Sequence, residues 1–150
     1  MSIREIRLQN LKPRAFIEEQ CRLISAQVGN SKAINALSGG VDSSVTTMLA
    51  HRALGPRLIT YFIDNGLMRE GEPKAVVSAM KKLGVPVVLV NAQKEFFSAL
   101  KGKTDPEKKR QAITDTFYKT VFGRLVKKSK APYLLQGTIY TDVEETVAGI

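Results

Sequence analysis

Residues 33–44 read Ala33-Ile34-Asn35-Ala36-Leu37-Ser38-Gly39-Gly40-Val41-Asp42-Ser43-Ser44, an apolar run that breaks into two glycines set among three serines. An amphipathic run from Val45 to Leu54 follows. Strand, glycine loop, helix is the order this implies. The glycines let main chain approach a ligand without interference from Cβ atoms. The serines add hydroxyl donors, and the start of the helix adds unpaired N–H groups at the positive end of its dipole. Such a loop is a cradle for phosphate oxygens.

The same alternation continues outward from the loop. Pro13 to Val28 reads as a helix, with Ile17, Cys21, Ile24 and Val28 at helical spacing. Apolar runs at Ala33–Leu37, Arg57–Ile63, Pro86–Val90 and Pro132–Gln136 read as four strands. Between them lie a helix from about Glu72 that stops at Gly84, a short helical turn around Phe96-Phe97, and a long helix to about Lys130. That long helix opens on Thr104-Asp105-Pro106-Glu107, which holds a capping residue, a first-turn proline and the acid of a capping box. Ile113, Phe117, Val121 and Leu125 form its apolar stripe. Strands alternating with helices predict an α/β fold, three layers α/β/α around a parallel sheet. The strands are apolar throughout, as for a sheet covered on both faces. Ligands of such sheets bind at the carboxyl ends of strands. The clusters Ser38–Ser44, Asp64-Asn65-Gly66 and Gly137-Thr138 all fall at such ends.

Composition narrows the class. A chain of 150 residues with 43% hydrophobic and 25% charged residues is one ordinary globular domain. No apolar run is long enough for a membrane span, so no membrane association is expected. The opening Met1-Ser2-Ile3-Arg4-Glu5 lacks the apolar core of a signal peptide, so a cytoplasmic protein is expected. The single cysteine, Cys21, has no partner for a disulfide or metal set and reads as a small buried hydrophobe. His51, the one histidine, has no catalytic context. A net charge of +9 suits an anionic partner, either a nucleotide or a nucleic acid. Much of that excess lies between Lys101 and Lys130, where ten Lys/Arg face three Asp/Glu. Most of these cations suit a solvated helix face as well as a ligand site, and nucleic acid is not the expected partner.

Two familiar phosphate motifs are absent. Gly102-Lys103-Thr104 carries the tail of a Walker A loop, but Phe97 stands where its first glycine belongs and no strand precedes it. The dinucleotide pattern G-x-G-x-x-G is not found after the first strand.

Ser38–Ser44 instead resembles the pyrophosphate-binding PP-loop, S-G-G-x-D-S-S, of the N-type ATP pyrophosphatases. Three further stretches are similar to motifs of the GMP synthase family: Phe62-Ile63-Asp64-Asn65-Gly66-Leu67-Met68-Arg69, Thr104-Asp105-Pro106-Glu107-Lys108-Lys109-Arg110 and Gln136-Gly137-Thr138-Ile139-Tyr140-Thr141-Asp142. The resemblance runs from about Phe16 to the end, and departs at Thr141, where the family usually has proline. It implies an adenine nucleotide alpha-hydrolase-like, Rossmann-like fold. It implies ATP and Mg²⁺ as cofactors, with adenylation of xanthosine monophosphate (XMP), loss of pyrophosphate, and amination to GMP by ammonia from a glutaminase partner. Ser38, Gly39, Gly40, Val41, Asp42, Ser43 and Ser44 would hold the phosphates. Asp42 and Ser43 would be the catalytic pair, with Asp42 also touching the metal. Leu37 and Ile63 would flank adenine, Gly137 and Thr138 would line the ATP site, and Arg110 with Lys109 would bind XMP. Asp142 and Glu145 are further candidates for substrate or metal. Against these stand plainer readings: core for Leu37 and Ile63, a strand-end turn for Gly137-Thr138, and a helix-start carboxylate for Asp42.

The resemblance also implies that residues 1–150 are an ATP-pyrophosphatase domain in shortened form. The glutaminase domain and the C-terminal domain through which the family forms homodimers would lie outside it. Other PP-loop enzymes, an NAD synthetase or a tRNA thiolation enzyme, remain alternatives. So does an ATP-binding module without turnover.

Overall fold

A computed structural model describes Gln9 and residues 11–137. The chain alternates as expected: α1 (Pro13–Val28), β1 (Ala33–Leu37), α2 (Val41–Leu54), β2 (Leu58–Asp64), α3 (Glu72–Lys82), β3 (Val87–Asn91), α4 (Gln93–Leu100), α5 (Pro106–Asp115), α6 (Gly123–Ser129) and β4 (Tyr133–Leu135). The four strands form one parallel sheet in the order β3-β2-β1-β4. From β1 the chain runs outward to β2 and β3, then returns to place β4 on the other side of β1. The strand order therefore switches between β1 and β4, which is where a ligand crevice opens in a sheet of this kind.

Side chains alternate across the sheet, and each face has its own core. Ile34, Tyr61 and Ile63 point to the face covered by α4, α5 and α6, where Phe96, Val121 and Leu125 complete a cluster. Ala33, Leu37 and Phe62 point to the other face, where they meet Ala50 and Leu54 of α2 and Met80 of α3. Phe62 and Phe96 are fully buried. Truncating either to alanine removes about 3–5 kcal/mol.

Four local expectations are corrected by packing. Helix α2 begins at Val41, so Val41–Ser44 form its first turn rather than loop. The turn at Phe96-Phe97 is a full helix, α4, because Phe96 anchors it in the core. Strand β3 pairs only with β2 among the described residues, and its Val88 and Leu89 are exposed, so it is not covered on both faces. The long helix is not uniform either. Thr116–Phe122 between α5 and α6 is π-helical. The buried positions there are Thr116, Val121, Phe122 and Leu125, while Phe117 and Ile113 are only half-buried. Pairs spaced five apart, Thr116 with Val121 and Phe117 with Phe122, share a face in a π-helix but not in an α-helix. The Phe117 and Phe122 rings stack with centroids 5.9 Å apart.

Candidate functional site

The loop after β1 lies at the switch point. Gly39 turns the chain there with φ +88°, and a Cβ at that position would sit 3.2 Å from Val76. A side chain there is strained by the backbone and needs Val76 to give way. Gly40 ends the turn as the N-cap of α2, and no side chain caps that helix. The first intrahelical bond runs from the Ser44 N–H to the Gly40 carbonyl at 3.1 Å. The N–H groups of Val41, Asp42 and Ser43 precede it and are the free donors of the first turn.

The serine hydroxyls close on one another. Ser43 Oγ donates to the Gly40 carbonyl at 3.0 Å, and Ser44 Oγ donates to the same carbonyl at 2.7 Å. Ser43 has one proton and has spent it, so the 2.8 Å bond between Ser38 Oγ and Ser43 Oγ is donated by Ser38. The Ser38 N–H adds a 3.3 Å bond to Ser43 Oγ, and the Gly40 N–H donates to Ser38 Oγ at 3.3 Å. Asp42 stands in the first turn with its carboxylate exposed, favoured by the dipole. Among the described residues no group of three acidic, histidine or cysteine side chains could hold a metal alone. One carboxylate beside a phosphate cradle does fit a Mg²⁺ that keeps waters and phosphate oxygens as its other ligands.

Beside the loop is a cavity of about 200 Å³. Ser38 and Ser43 form one side, Phe117, Tyr118 and Phe122 of the π-helical segment form another, and Gly137 after β4 closes an end. Its volume is below the roughly 300–1,000 Å³ of a site that swallows a drug-sized ligand. It has room for only part of such a ligand. Phe117 and Tyr118 meet edge to face, with centroids 4.9 Å apart and an interplanar angle of 72°. Their faces offer a wall for a flat ring.

The other candidates are placed less directly. Ile63 is buried in the core cluster that also holds Phe122 and Phe117 and does not itself line the cavity, whereas the Leu37 side chain is buried on the opposite face. Leu37 can offer a ligand only its main chain. Val41 is the first residue of α2, with its side chain in solvent. Gly137 presses on α2: a Cβ there would lie 2.9 Å from Thr46 Oγ1 and 3.1 Å from the Asp42 carbonyl. Thr138, Asp142 and Glu145 lie outside the described residues. Lys109 and Arg110 are exposed in α5 and do not line the cavity. Arg110 pairs with Glu107 in the same helix. It stands seven residues before Phe117, about 10 Å along the helix.

Asp64, at the end of β2, is committed to bracing the following turn. It accepts from the Gly66 N–H and from Gln93 Nε2, each at 2.9 Å. The carboxyls with shifted acidity lie away from the loop. Glu95 is held below the ordinary range by its own backbone N–H and then by Arg124, and Asp115 by Lys119. Cys21 is half-buried with its thiol aimed at the Leu49 carbonyl, as an inert packing residue would be.

Sequence reasoning missed the aromatic wall, taking Phe117 as core only. The five-residue spacing of Phe117 and Phe122, which breaks a 3.6-residue period, was the signal available.

Residues 13–123 match the NAD synthase family profile. The chain is 51% identical over 135 residues to a subunit of the glutamine-hydrolyzing GMP synthase of Archaeoglobus fulgidus, covering 90% of this chain and 44% of that protein. It is 46% identical over 141 residues to the glutamine-hydrolyzing GMP synthase of Thermotoga maritima, covering 93% of this chain and 28% of that one. The chain thus spans less than half the length of these curated relatives. Among solved structures it resembles the glutamine-dependent NAD+ synthetase of Acinetobacter baumannii in complex with ADP. The TM-score is 0.70 and the identity 16%, over 98% of this chain and 29% of that one. At that identity the likeness concerns the fold, which is the parallel Rossmann-like α/β architecture expected from the sequence.

Proposed function

The chain belongs to the NAD synthase family of the PP-loop superfamily, and from that membership we propose that it is the ATP-pyrophosphatase part of a GMP synthase. It adenylates XMP with release of pyrophosphate, and ammonia then converts the adenylate to GMP. The observation that carries this reading is the uncapped first turn of α2, with the Ser38 and Ser43 hydroxyls lining the cavity beside it. The GMP branch is favoured over NAD synthetase by 51% identity to a GMP synthase subunit, against 16% to an NAD synthetase of known structure.

The β- and γ-phosphates of ATP lie on Ser38–Ser44, and adenine takes the cavity walled by Phe117 and Tyr118, with Ile63 in the core cluster that Phe117 joins. Gly137 and Thr138 border the nucleotide, and the strand end at Leu37 lends main chain. Oxygen O2 of the xanthine ring attacks the α-phosphorus, and the bond to the bridging oxygen of pyrophosphate breaks. Negative charge grows on the leaving phosphate, where the N–H groups of Val41–Ser43 and the hydroxyls of Ser38, Ser43 and Ser44 receive it. Preorganised donors of this kind are worth about 10²–10³ each in rate. Asp42 would hold a phosphate-bound Mg²⁺, which neutralises part of that charge when present. Ammonia then attacks C2 of the ring and AMP leaves. Arg110, with Lys109 near it, takes the XMP phosphate.

Among the described residues none is set up to release ammonia from glutamine, so a glutaminase supplies it. The Archaeoglobus relative is named as one subunit of its enzyme, which fits a separate glutaminase chain. The smaller matched share of the Thermotoga protein fits a fused one. A homodimer formed through a further C-terminal domain, and a cytoplasmic setting, complete the proposal. Among the described residues no helix is long and apolar enough to cross a membrane.

The test is pyrophosphate release from ATP, Mg²⁺ and ammonium salt, with XMP or deamido-NAD as acceptor. Release with XMP alone is expected. Release with deamido-NAD and not XMP overturns the GMP reading.

A further inference from the structure

Asn35 stands in the middle of β1, facing α2, and is only 2% exposed. An apolar residue is the ordinary occupant of such a position in a parallel strand. Its Nδ2 donates to Thr47 Oγ1 at 2.7 Å, and Thr47 is fully buried. Thr47 Oγ1 in turn donates to the main-chain carbonyl of Ser43 at 2.7 Å. Counting protons fixes the direction. A threonine hydroxyl has one proton, and the Ser43 carbonyl can only accept, so Thr47 must accept from the Asn35 amide. That leaves Asn35 Oδ1 buried with no partner among the described residues.

This arrangement is a poor way to gain stability. An unsatisfied buried acceptor is a penalty, whereas an apolar pair of the same shape is close to neutral or better. What the polar pair provides is position. Ser43 carries a free first-turn N–H and the hydroxyl on which Ser38 closes. A threonine bonding back to the carbonyl four residues earlier also bends a helix locally. Gly137 grips the same turn from the other side, against Asp42 and Thr46.

We infer that Asn35 and Thr47 are positioning residues: a buried two-link tether from the central strand to the Ser43 carbonyl that aims the first turn of α2 at one anion. The inference deepens the pyrophosphate reading above and rests on it. The loop's own hydrogen bonds shape Ser38–Ser44, and the tether sets where that shape sits relative to β1.

The test uses the whole chain with Thr47→Val, Thr47→Ser, Asn35→Leu and the double variant Asn35→Leu/Thr47→Val. Three quantities are read: calorimetric affinity for inorganic pyrophosphate, affinity for adenosine, and the thermal midpoint. The double variant should melt no lower than the parent yet bind pyrophosphate about tenfold more weakly, the equivalent of one lost hydrogen bond. Adenosine affinity should stay within about twofold, and Thr47→Ser should behave as the parent because it keeps the hydroxyl. Parental pyrophosphate affinity in the double variant overturns the tether. So does a loss shared by pyrophosphate and adenosine together with a lower midpoint, which is the mark of a structural role alone. Amide exchange without ligand at Ser44, whose N–H is bonded to the Gly40 carbonyl in this first turn, separates the two readings. Faster exchange in Thr47→Val supports the tether even if the parent binds no pyrophosphate, an outcome that sinks the functional reading alone. Unchanged exchange overturns the tether.

Discussion

Helices α2 and α5 begin in opposite ways. At α5, Asp105 caps the helix by accepting from the Lys108 N–H at 2.8 Å, and Pro106 removes another donor from the first turn. At α2 the cap is Gly40, no side chain caps the turn, and the serine hydroxyls beside it bond to one another and to the Gly40 carbonyl. Both starts satisfy the propensity rules for a helix, yet only one leaves its donors available. An end closed by its own side chain is structural. An end left open, beside a glycine turn and at the sheet's switch point, keeps N–H groups that an anion could take.

Closing the open end should give the largest effect. Gly40 has φ −71°, which any residue adopts, and a Cβ there meets only Ser38 Oγ at 3.5 Å. Gly40→Asp therefore fits, and its carboxylate takes the free first-turn N–H groups. Stability should rise by about a few tenths of a kcal/mol. Affinity for ATP should fall by about a hundredfold or more, because a fixed negative charge now faces the phosphates. Titration calorimetry and thermal melting read the two changes together. Unchanged ATP affinity would mean that the open end is not the phosphate site. Opening the closed end is the smaller converse. Asp105→Ala should cost about 1 kcal/mol in denaturant unfolding and leave ATP affinity alone.

The same contrast explains what was legible in the sequence. The strand, glycine turn and open helix start were, because the free N–H groups are main-chain groups whose placement follows from neighbouring residues: an apolar strand, two glycines, a helix start. The α5 cap was legible for the same local reason. The aromatic wall was not, since Phe117 and Tyr118 are distant in sequence from Ser38 and Ser43 and meet them only through tertiary packing. A search for 3.6-residue periodicity also passes over a π-helical segment. The exposure of Val88 and Leu89 escaped likewise: an apolar strand reads alike in the middle and at the edge of a sheet. Asn35 sits inside a run read as apolar throughout, and only its contact with Thr47 gives it a role.

Arg110 marks the smallest step and the sharpest limit of the comparison. It lies at a helix start, where a cation opposes the dipole, and its pairing with Glu107 offsets that. The two side chains are 68% and 76% exposed, so water screens the pair. Arg110→Gln should change stability by less than about 0.5 kcal/mol. If the residue is surface only, the kinetics should be equally indifferent. If it takes the acceptor's phosphate, KM for XMP should rise about tenfold or more with kcat and the KM for ATP unchanged, since a charged hydrogen bond to the acceptor is lost uniformly from ground and transition states. Because α5 runs from Arg110 toward Phe117, the substitution also reports whether the closed helix start shares a substrate with the open one. A variant with parental KM for XMP would confine the site to the loop and its aromatic cavity.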